Sequence, residues 1–198
     1  ITDSGALAIT GAASFTATAN GTEITLDTGT NNFASTVSFA SGGTLANVTV
    51  ADTTALALAA LTVSNNLSVT AGGAVTQSGA LVVPGTTTIS ASGQDVTLNT
   101  STNNFTGAVL ITGKDVSVVD AGALVLGAST VSGTFAATAT ASGDITNTGA
   151  LAITGAATFT AAGGQSIAVA NSSNNYGGTV TFSSGGTLSS VSVHDTTA

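Results

Sequence analysis

Ile1-Thr2-Asp3-Ser4-Gly5-Ala6-Leu7 returns as Val75-Thr76-Gln77-Ser78-Gly79-Ala80-Leu81 and again as Ile145-Thr146-Asn147-Thr148-Gly149-Ala150-Leu151. A second marker, Asn31-Asn32-Phe33, recurs at nearly the same spacing as Asn103-Asn104-Phe105 and Asn174-Asn175-Tyr176. A third runs Val48-Thr49-Val50-Ala51-Asp52, then Val116-Ser117-Val118-Val119-Asp120, then Val191-Ser192-Val193-His194-Asp195. Three markers in one order define a repeat of about seventy residues, which is the signature of a stacked architecture. The units run over residues 1–74, 75–144 and 145–198, the last incomplete, within a single domain spanning 1–198.

Inside each unit the apolar period is two. Glu23-Ile24-Thr25-Leu26, Leu67-Ser68-Val69 and Val96-Thr97-Leu98 alternate, while Gly42-Gly43, Gly72-Gly73 and Asn20-Gly21 punctuate them with turn chemistry. Strands of four or five residues therefore recur every eight or so, and no window carries a helical period. A sandwich has no reason to repeat its turn residues every seventy positions, whereas a solenoid must, because each coil lies on the one before. The expected fold is an all-β, right-handed parallel β-helix. About eight coils of roughly 24 residues, with three short strands each, make a rod on the order of 40 Å long. On this reckoning one unit is three coils.

Composition narrows the function. Of the 198 residues, 5% are charged, with nine acids against the single cation Lys114, for a net charge of −8. That balance disfavours nucleic acid, which rewards clustered Lys and Arg, and anionic membrane surfaces. With no Cys there is no disulfide framework and no Cys-ligated zinc. Mean hydropathy is +0.50, yet Thr, Ser, Asn or Gly interrupts every long apolar run, so no membrane insertion is expected. The chain contains no Met and opens directly on a repeat motif. It closes on Asp195-Thr196-Thr197-Ala198, which matches Asp52-Thr53-Thr54-Ala55 in mid-unit. Both ends therefore read as uncapped, as in a piece of something longer.

These motifs resemble the filamentous-haemagglutinin-like passenger proteins of two-partner secretion systems and their large repetitive relatives in Gram-negative bacteria. The resemblance rests on the Ile-Thr-x-Ser/Thr-Gly-Ala-Leu motif, on Thr102–Val109 and on Val116–Gly127, and it covers the whole chain. It implies a long β-helix exported through a dedicated outer-membrane translocator and displayed outside the cell as an adhesin or fibre. The expected partners are that translocator, the surface of a host or neighbouring cell, and copies of the chain stacked end to end. The expected location is extracellular, at the bacterial cell surface.

The polar residues are expected to serve the fold. Asp52, Asp120 and Asp195 invite a calcium reading, but equivalent residues three coils apart would lie about 14 Å from one another, far beyond the reach of one ion. An Asx turn, with each Asp bonding its own backbone, is the expectation instead. The Asn pairs, Asn65-Asn66 included, are expected in turns, tolerating left-handed backbone and bonding to neighbouring coils. Phe33, Phe105 and Tyr176 are expected as core or corner plugs. His194 stands where the other units have Ala51 and Val119, and Lys114 is expected in a surface ion pair with Asp115.

A lone His and a lone Lys provide neither a metal cluster nor a group to stabilise developing negative charge. The expectation is therefore no enzyme, no catalytic or metal residue and no cofactor. Sequons begin at Asn20, Asn47, Asn66, Asn99, Asn104 and Asn171. The alternative function is a solenoid module that binds ice, through the Thr pairs Thr16/Thr18, Thr86/Thr88, Thr138/Thr140 and Thr179/Thr181, or glycan, through the Asn pairs.

Overall fold

The computed structural model describes residues 1–141 and 143–196, and among these there is no helix. The last two residues of the mid-unit match noted above, Thr197 and Ala198, lie outside the described residues. The first ten strands are β1 (Ala8–Ile9), β2 (Ala13–Ala17), β3 (Ile24–Leu26), β4 (Asn32–Phe33), β5 (Thr36–Ser41), β6 (Val48–Asp52), β7 (Leu56–Leu58), β8 (Leu61–Thr62), β9 (Leu67–Ala71) and β10 (Val75–Gln77). The next ten repeat them: β11 (Leu81–Val83), β12 (Thr87–Ser90), β13 (Val96–Leu98), β14 (Asn104–Phe105), β15 (Val109–Gly113), β16 (Val116–Asp120), β17 (Leu124–Leu126), β18 (Ser129–Val131), β19 (Phe135–Ala139) and β20 (Ile145–Asn147). Six more follow: β21 (Leu151–Ile153), β22 (Ala157–Ala161), β23 (Ser166–Val169), β24 (Asn175–Tyr176), β25 (Val180–Ser184) and β26 (Ser190–Val193).

All pairings are parallel, and nearly every one joins a strand to the third strand after it, as Ala13 of β2 to Val37 of β5 or Ile167 of β23 to Val191 of β26. That rule describes a three-sided parallel β-solenoid of about eight coils, as the periodicity predicts. The burial pattern shows why these segments are strands. Residues alternate between buried and part-exposed along most of them, as in β15 and β22, so Val, Leu, Ile, Ala and Phe fill the bore while Thr and Ser face out. No described strand lies antiparallel to another.

Two sides of the rod are continuous. One long sheet runs β2-β5-β7-β10-β13-β16-β19-β22-β25, and the other runs β3-β6-β9-β12-β15-β17-β20-β23-β26. The third side is broken into short stacks, β1-β4, then β8-β11-β14, then β18-β21-β24. The first and last stacks lie where the chain passes from the second long sheet to the first, as β3-β4-β5 and β23-β24-β25 do. The middle stack lies where it passes back, as β13-β14-β15 does. The third side therefore switches from one end of the cross-section to the other and back again.

Two expectations need correction. Coils are not uniform: one coil takes Ala13 to Val37, and one coil also takes Leu56 to Val75, a much shorter path than the predicted length. The repeat also carries ten strands, not nine, and spans three and a half coils, not three. The two exceptions to the third-strand rule mark the switches. There the long strands β5 and β15 pair with β7 and β17, two strands on instead of three. The far ends of the same segments bend into the new third side: Leu45 bridges Val63 beside β8, and Thr112 of β15 meets Thr130 of β18.

The extra half coil gives each repeat a half turn relative to the last. Strands β2 and β22 share the first long sheet, while their counterpart β12 lies in the second. Asp52 and Asp120 consequently end strands of opposite sheets, and Asp52 and Asp195 share an edge only at a distance of two repeats. The carboxylates form no row along the rod.

The corners are tight. A Cβ on Gly107 would run into the Gly85 carbonyl of the coil below, so only glycine lets the two backbones approach. Gly21, Gly93 and Gly164, at the same place in the three units, have φ of 70°, 73° and 81°. No described non-glycine residue has positive φ, so the Asn residues do not adopt the left-handed conformation expected of them.

Candidate functional site

The recurrent polar residues converge on one arrangement made three times. Asn31, Asn103 and Asn174 are fully buried. Each points its side chain into the corner where the Ile-Thr-x-Ser/Thr-Gly-Ala-Leu motif of the preceding coil turns. Asn103 Oδ1 accepts from the Leu81 N–H at 2.9 Å and from Gln77 Nε2 at 2.7 Å. Its Nδ2 donates to Gln77 Oε1 (2.9 Å), to the Leu98 carbonyl (3.1 Å) and to the Val119 carbonyl (3.2 Å). Asn174 repeats the pattern with the Leu151 N–H, Asn147 and the Val169 carbonyl. Asn31 does so with the Leu7 N–H, Asp3 and the Leu26 carbonyl. The two motifs read separately in the sequence are thus halves of one contact, stacked a coil apart.

The Asp residues close the same corner from above. The Phe105 N–H donates to Asp120 Oδ2 at 2.7 Å, while Asp120 Oδ1 accepts from the Gly122 N–H at 2.6 Å. Asp52 takes the Phe33 N–H (3.2 Å) and the Thr54 N–H (2.8 Å), and Asp195 takes the Tyr176 N–H (3.1 Å). The expected Asx turn is present at Asp52 and Asp120. The second oxygen, which reaches the coil below, was not foreseen. Its purpose follows from the topology. β4 and β14 are the last strands of their short stacks, so no strand lies over them, and the carboxylate supplies the acceptor that a next strand would have given. The carbonyls of Asn31, Asn103 and Asn174 complete the corner by accepting from the N–H groups of Thr53, Ala121 and Thr196.

The aromatic residue after each Asn pair plugs the bore at that corner, as expected: Phe33 and Phe105 are fully buried and Tyr176 nearly so. Phe33 meets Phe15 edge-on at 5.9 Å, and Tyr176 meets Phe159 at 6.2 Å. Outside the corners, Asn66 Oδ1 caps the Thr86 N–H of the next coil, and Asn47 Oδ1 the Asn66 N–H. His194 is exposed.

The first copy of the corner is imperfect in a way that can be measured. Gln77 and Asn147 donate to the carbonyls of Gly79 and Gly149. Asp3 stands in their place with no hydrogen to give, and its Oδ1 is buried without a partner. Asp3→Asn is expected to raise stability by about 1 kcal/mol in urea denaturation, the worth of one restored hydrogen bond.

Burial, the dominant influence, pushes the Asp120 carboxyl above its ordinary range against the opposing pull of the Gly122 and Phe105 N–H bonds. A carboxyl that holds its proton more tightly when folded adds stability as the pH falls from its folded pKa toward its unfolded one. Wild type is therefore expected to gain thermal stability relative to Asp120→Asn on acidification through that window. A relative loss there would contradict the assignment. Asp115 runs the other way: the Thr134 N–H and hydroxyl and the Lys114 ammonium hold it low. Its contribution is lost as the pH falls through its depressed pKa.

Lys114 forms the surface pair expected with Asp115 (3.2 Å) and lies 4.0 Å from Asp95. Beside it a shallow depression of about 220 Å³ runs over Asp95, Thr97, Asp115, Ser117 and Thr134. Asp115 is already engaged there by the Thr134 N–H (2.7 Å) and hydroxyl (2.8 Å). Among the described residues, no three His, Cys, Asp or Glu side chains are grouped to hold a metal ion.

No curated protein and no solved structure matches the chain. A family model described as repeats of unknown function (DUF5649) matches residues 1–40, 45–112 and 113–183. The second and third matches are each about as long as the spacing between successive Asn-Asn-Phe markers, so the family's unit is the repeat read from the sequence. Those three matches take in most of the polypeptide, and the chain belongs to this family of repeats.

Proposed function

We propose that the chain is shaft material of a bacterial secreted or cell-surface fibre or adhesin, a structural element and not an enzyme. The observation that carries this reading is where the recurrent polar groups point. Asn31, Asn103 and Asn174 and their Asp partners bond inward, to backbone of the coils above and below. What the repeat preserves is therefore the means of adding another coil. The outward residues, mostly Thr, Ser and Ala, vary without disturbing it. A rod extensible by repetition suits display at a distance from a cell. The resemblance to filamentous-haemagglutinin-like passengers supports export through an outer-membrane translocator, with adhesion to a host or neighbouring cell supplied elsewhere on the fibre. Electron microscopy of native material is expected to show rods or fibres. Isolated globules would contradict the reading.

One observation favours the alternative, a face that orders water or lies on a glycan. Thr76, Thr97, Ser117, Ala136, Thr158 and Thr181 stand in register on six successive strands, an uncharged file of small residues about 4.8 Å apart. Of the Thr pairs of the sequence only Thr181 joins this file, because the half turn per repeat sends the pairs to different sheets, as Thr16 and Thr88 show. Thermal hysteresis with ice shaping would support the alternative, and its absence removes the ice reading.

A further inference from the structure

The second repeat departs from the other two at one outward corner, just before β13 and β16. In the first repeat the corresponding corner is tied shut by Asn47. Its Oδ1 accepts from the Asn66 N–H of the next coil, and its Nδ2 donates to Glu23 Oε1 of the previous one at 2.6 Å. In the second repeat Asp115 stands for Asn47 and Asp95 for Glu23. Asp115 Oδ1 still takes the N–H of the next coil, from Thr134 at 2.7 Å. A carboxylate has no hydrogen to give Asp95, and two like charges do not close on each other. The depression of about 220 Å³ opens at this corner. Lys114, where the first repeat has Ala46, sets its ammonium 3.2 Å from Asp115 and 4.0 Å from Asp95. The third repeat has Ser166, Ser189 and Ser190 at the three positions. The coils therefore stack without this set of charges, and the fold does not account for it.

The groups around the depression select a ligand by exclusion. Two carboxylates turn an anion away. A metal ion finds the place between them held by the Lys114 ammonium. An apolar ligand meets the hydroxyls of Thr97 and Ser117, although Val116 and Ala136 add some apolar lining. A neutral ring carrying several hydroxyls satisfies all of them. It donates to Asp95, which is more than half exposed and takes only a 3.4 Å contact from the Asp115 N–H. It accepts from Lys114 and from the Thr97 and Ser117 hydroxyls. Asp115 is held in place for it by the Thr134 N–H and hydroxyl, and the hydroxyls stand on strands rather than loops, so little is ordered on binding.

We infer that this depression anchors one sugar ring of an uncharged glycan. Its volume falls short of the ~300–1,000 Å³ of pockets that enclose a whole ligand, so one ring of a longer chain is what it takes. The rest of that chain has a path. Thr97, Ser117 and Ala136 line the depression and also belong to the uncharged file that runs from Thr76 to Thr181. The inference rests on the glycan reading of that file and gives it an anchor. The Asn pairs do not provide one, since Asn31, Asn103 and Asn174 are buried. The shaft reading stands or falls independently of it.

Amide chemical shifts of the full ¹⁵N-labelled chain test it, with four neutral hexasaccharides as probes: those of mannose, of α-linked glucose, of β-linked glucose and of N-acetylglucosamine. At least one is expected to shift the amides of residues 95–98 and 114–118 saturably, in the millimolar range. Asp95→Ala, at an exposed position, is expected to weaken that binding about tenfold, and Thr97→Val to weaken it too. Asp144→Ala, an exposed acid on the opposite sheet, leaves it unchanged. Equal binding by Asp95→Ala and wild type would overturn the inference. So would calcium chloride alone saturating the same amides, which would make the depression a metal site. Shifts along the Thr76–Thr181 file that spare the depression would remove the anchor and keep the glycan reading, whereas no shift with any of the four removes both.

Discussion

Asn103→Leu is expected to lower the free energy of unfolding by about 4 kcal/mol, measured by urea denaturation. Leucine is not far from asparagine in size, so the loss reports hydrogen bonds rather than a cavity. The substitution takes a partner from the Leu81 N–H, from the Leu98 and Val119 carbonyls and from the Gln77 amide oxygen in a fully buried corner, while Gln77 Nε2 keeps the Gly79 carbonyl. Each unsatisfied buried group costs about 1–3 kcal/mol, softened where the corner relaxes toward water. Against a typical stability of about 5–15 kcal/mol, that is a large fraction. Asn104→Ala, next door but exposed, is expected to change stability by less than about 0.5 kcal/mol. Equal effects at the two positions would mean that the pair acts as a surface turn after all.

Phe159→Ala is expected to cost about 4 kcal/mol, within the range for deleting a fully buried phenyl ring. Phe159 is where aromatic rings of the second and third repeats meet. Phe135 lies 5.8 Å away, Phe182 is stacked at 5.9 Å and Tyr176 stands edge-on at 6.2 Å. Rings above, below and beside it cannot all close in on the space. Phe182→Ala, in the half-buried end coil, is expected to cost less than half as much. Calorimetric scans of the two variants against wild type separate them, and a larger loss at Phe182 would contradict the packing described.

Much of the fold was legible because its causes are periodic. Strict alternation in Val96–Leu98 or Leu67–Val69 reads as a strand with one buried side, and a repeat of seventy residues with constant turn residues reads as a stack. The miscount of coils has an equally plain cause. β4, β14 and β24 are two residues long, each directly after an Asn, and nothing in Asn103-Asn104-Phe105 distinguishes a short strand from a turn. Nor does local sequence say that the third side changes ends after β4 and again after β14. Counting whole coils puts equivalent residues on one edge of the rod, whereas the observed half coil puts them on opposite edges.

The candidate site was half legible. An Asp two residues before a turn N–H announces an Asx turn from local sequence alone. The reach of Asp120 Oδ2 to the Phe105 N–H, and of Asn103 to Gln77, crosses 15 and 26 residues. Such contacts appear only when the coil length is known. A clue was present all the same. The x of Ile-Thr-x-Ser/Thr-Gly-Ala-Leu is Asp3, Gln77 or Asn147, always a side chain that accepts hydrogen bonds, and it lies 26–28 residues before the first Asn of each pair. That separation is one coil with its corner.

That a seventy-residue repeat spans three and a half coils, and so turns each repeat by half a turn, is tested most directly by one distance. Spin labels at Asn32→Cys and Asn104→Cys, equivalent exposed positions in a chain without native cysteine, report it by electron paramagnetic resonance. A separation of about 25 Å is predicted, combining an axial rise of about 17 Å with a crossing of about 17 Å, the length of a five-residue strand. A separation of about 14 Å, the rise of three whole coils along one edge, would contradict the account.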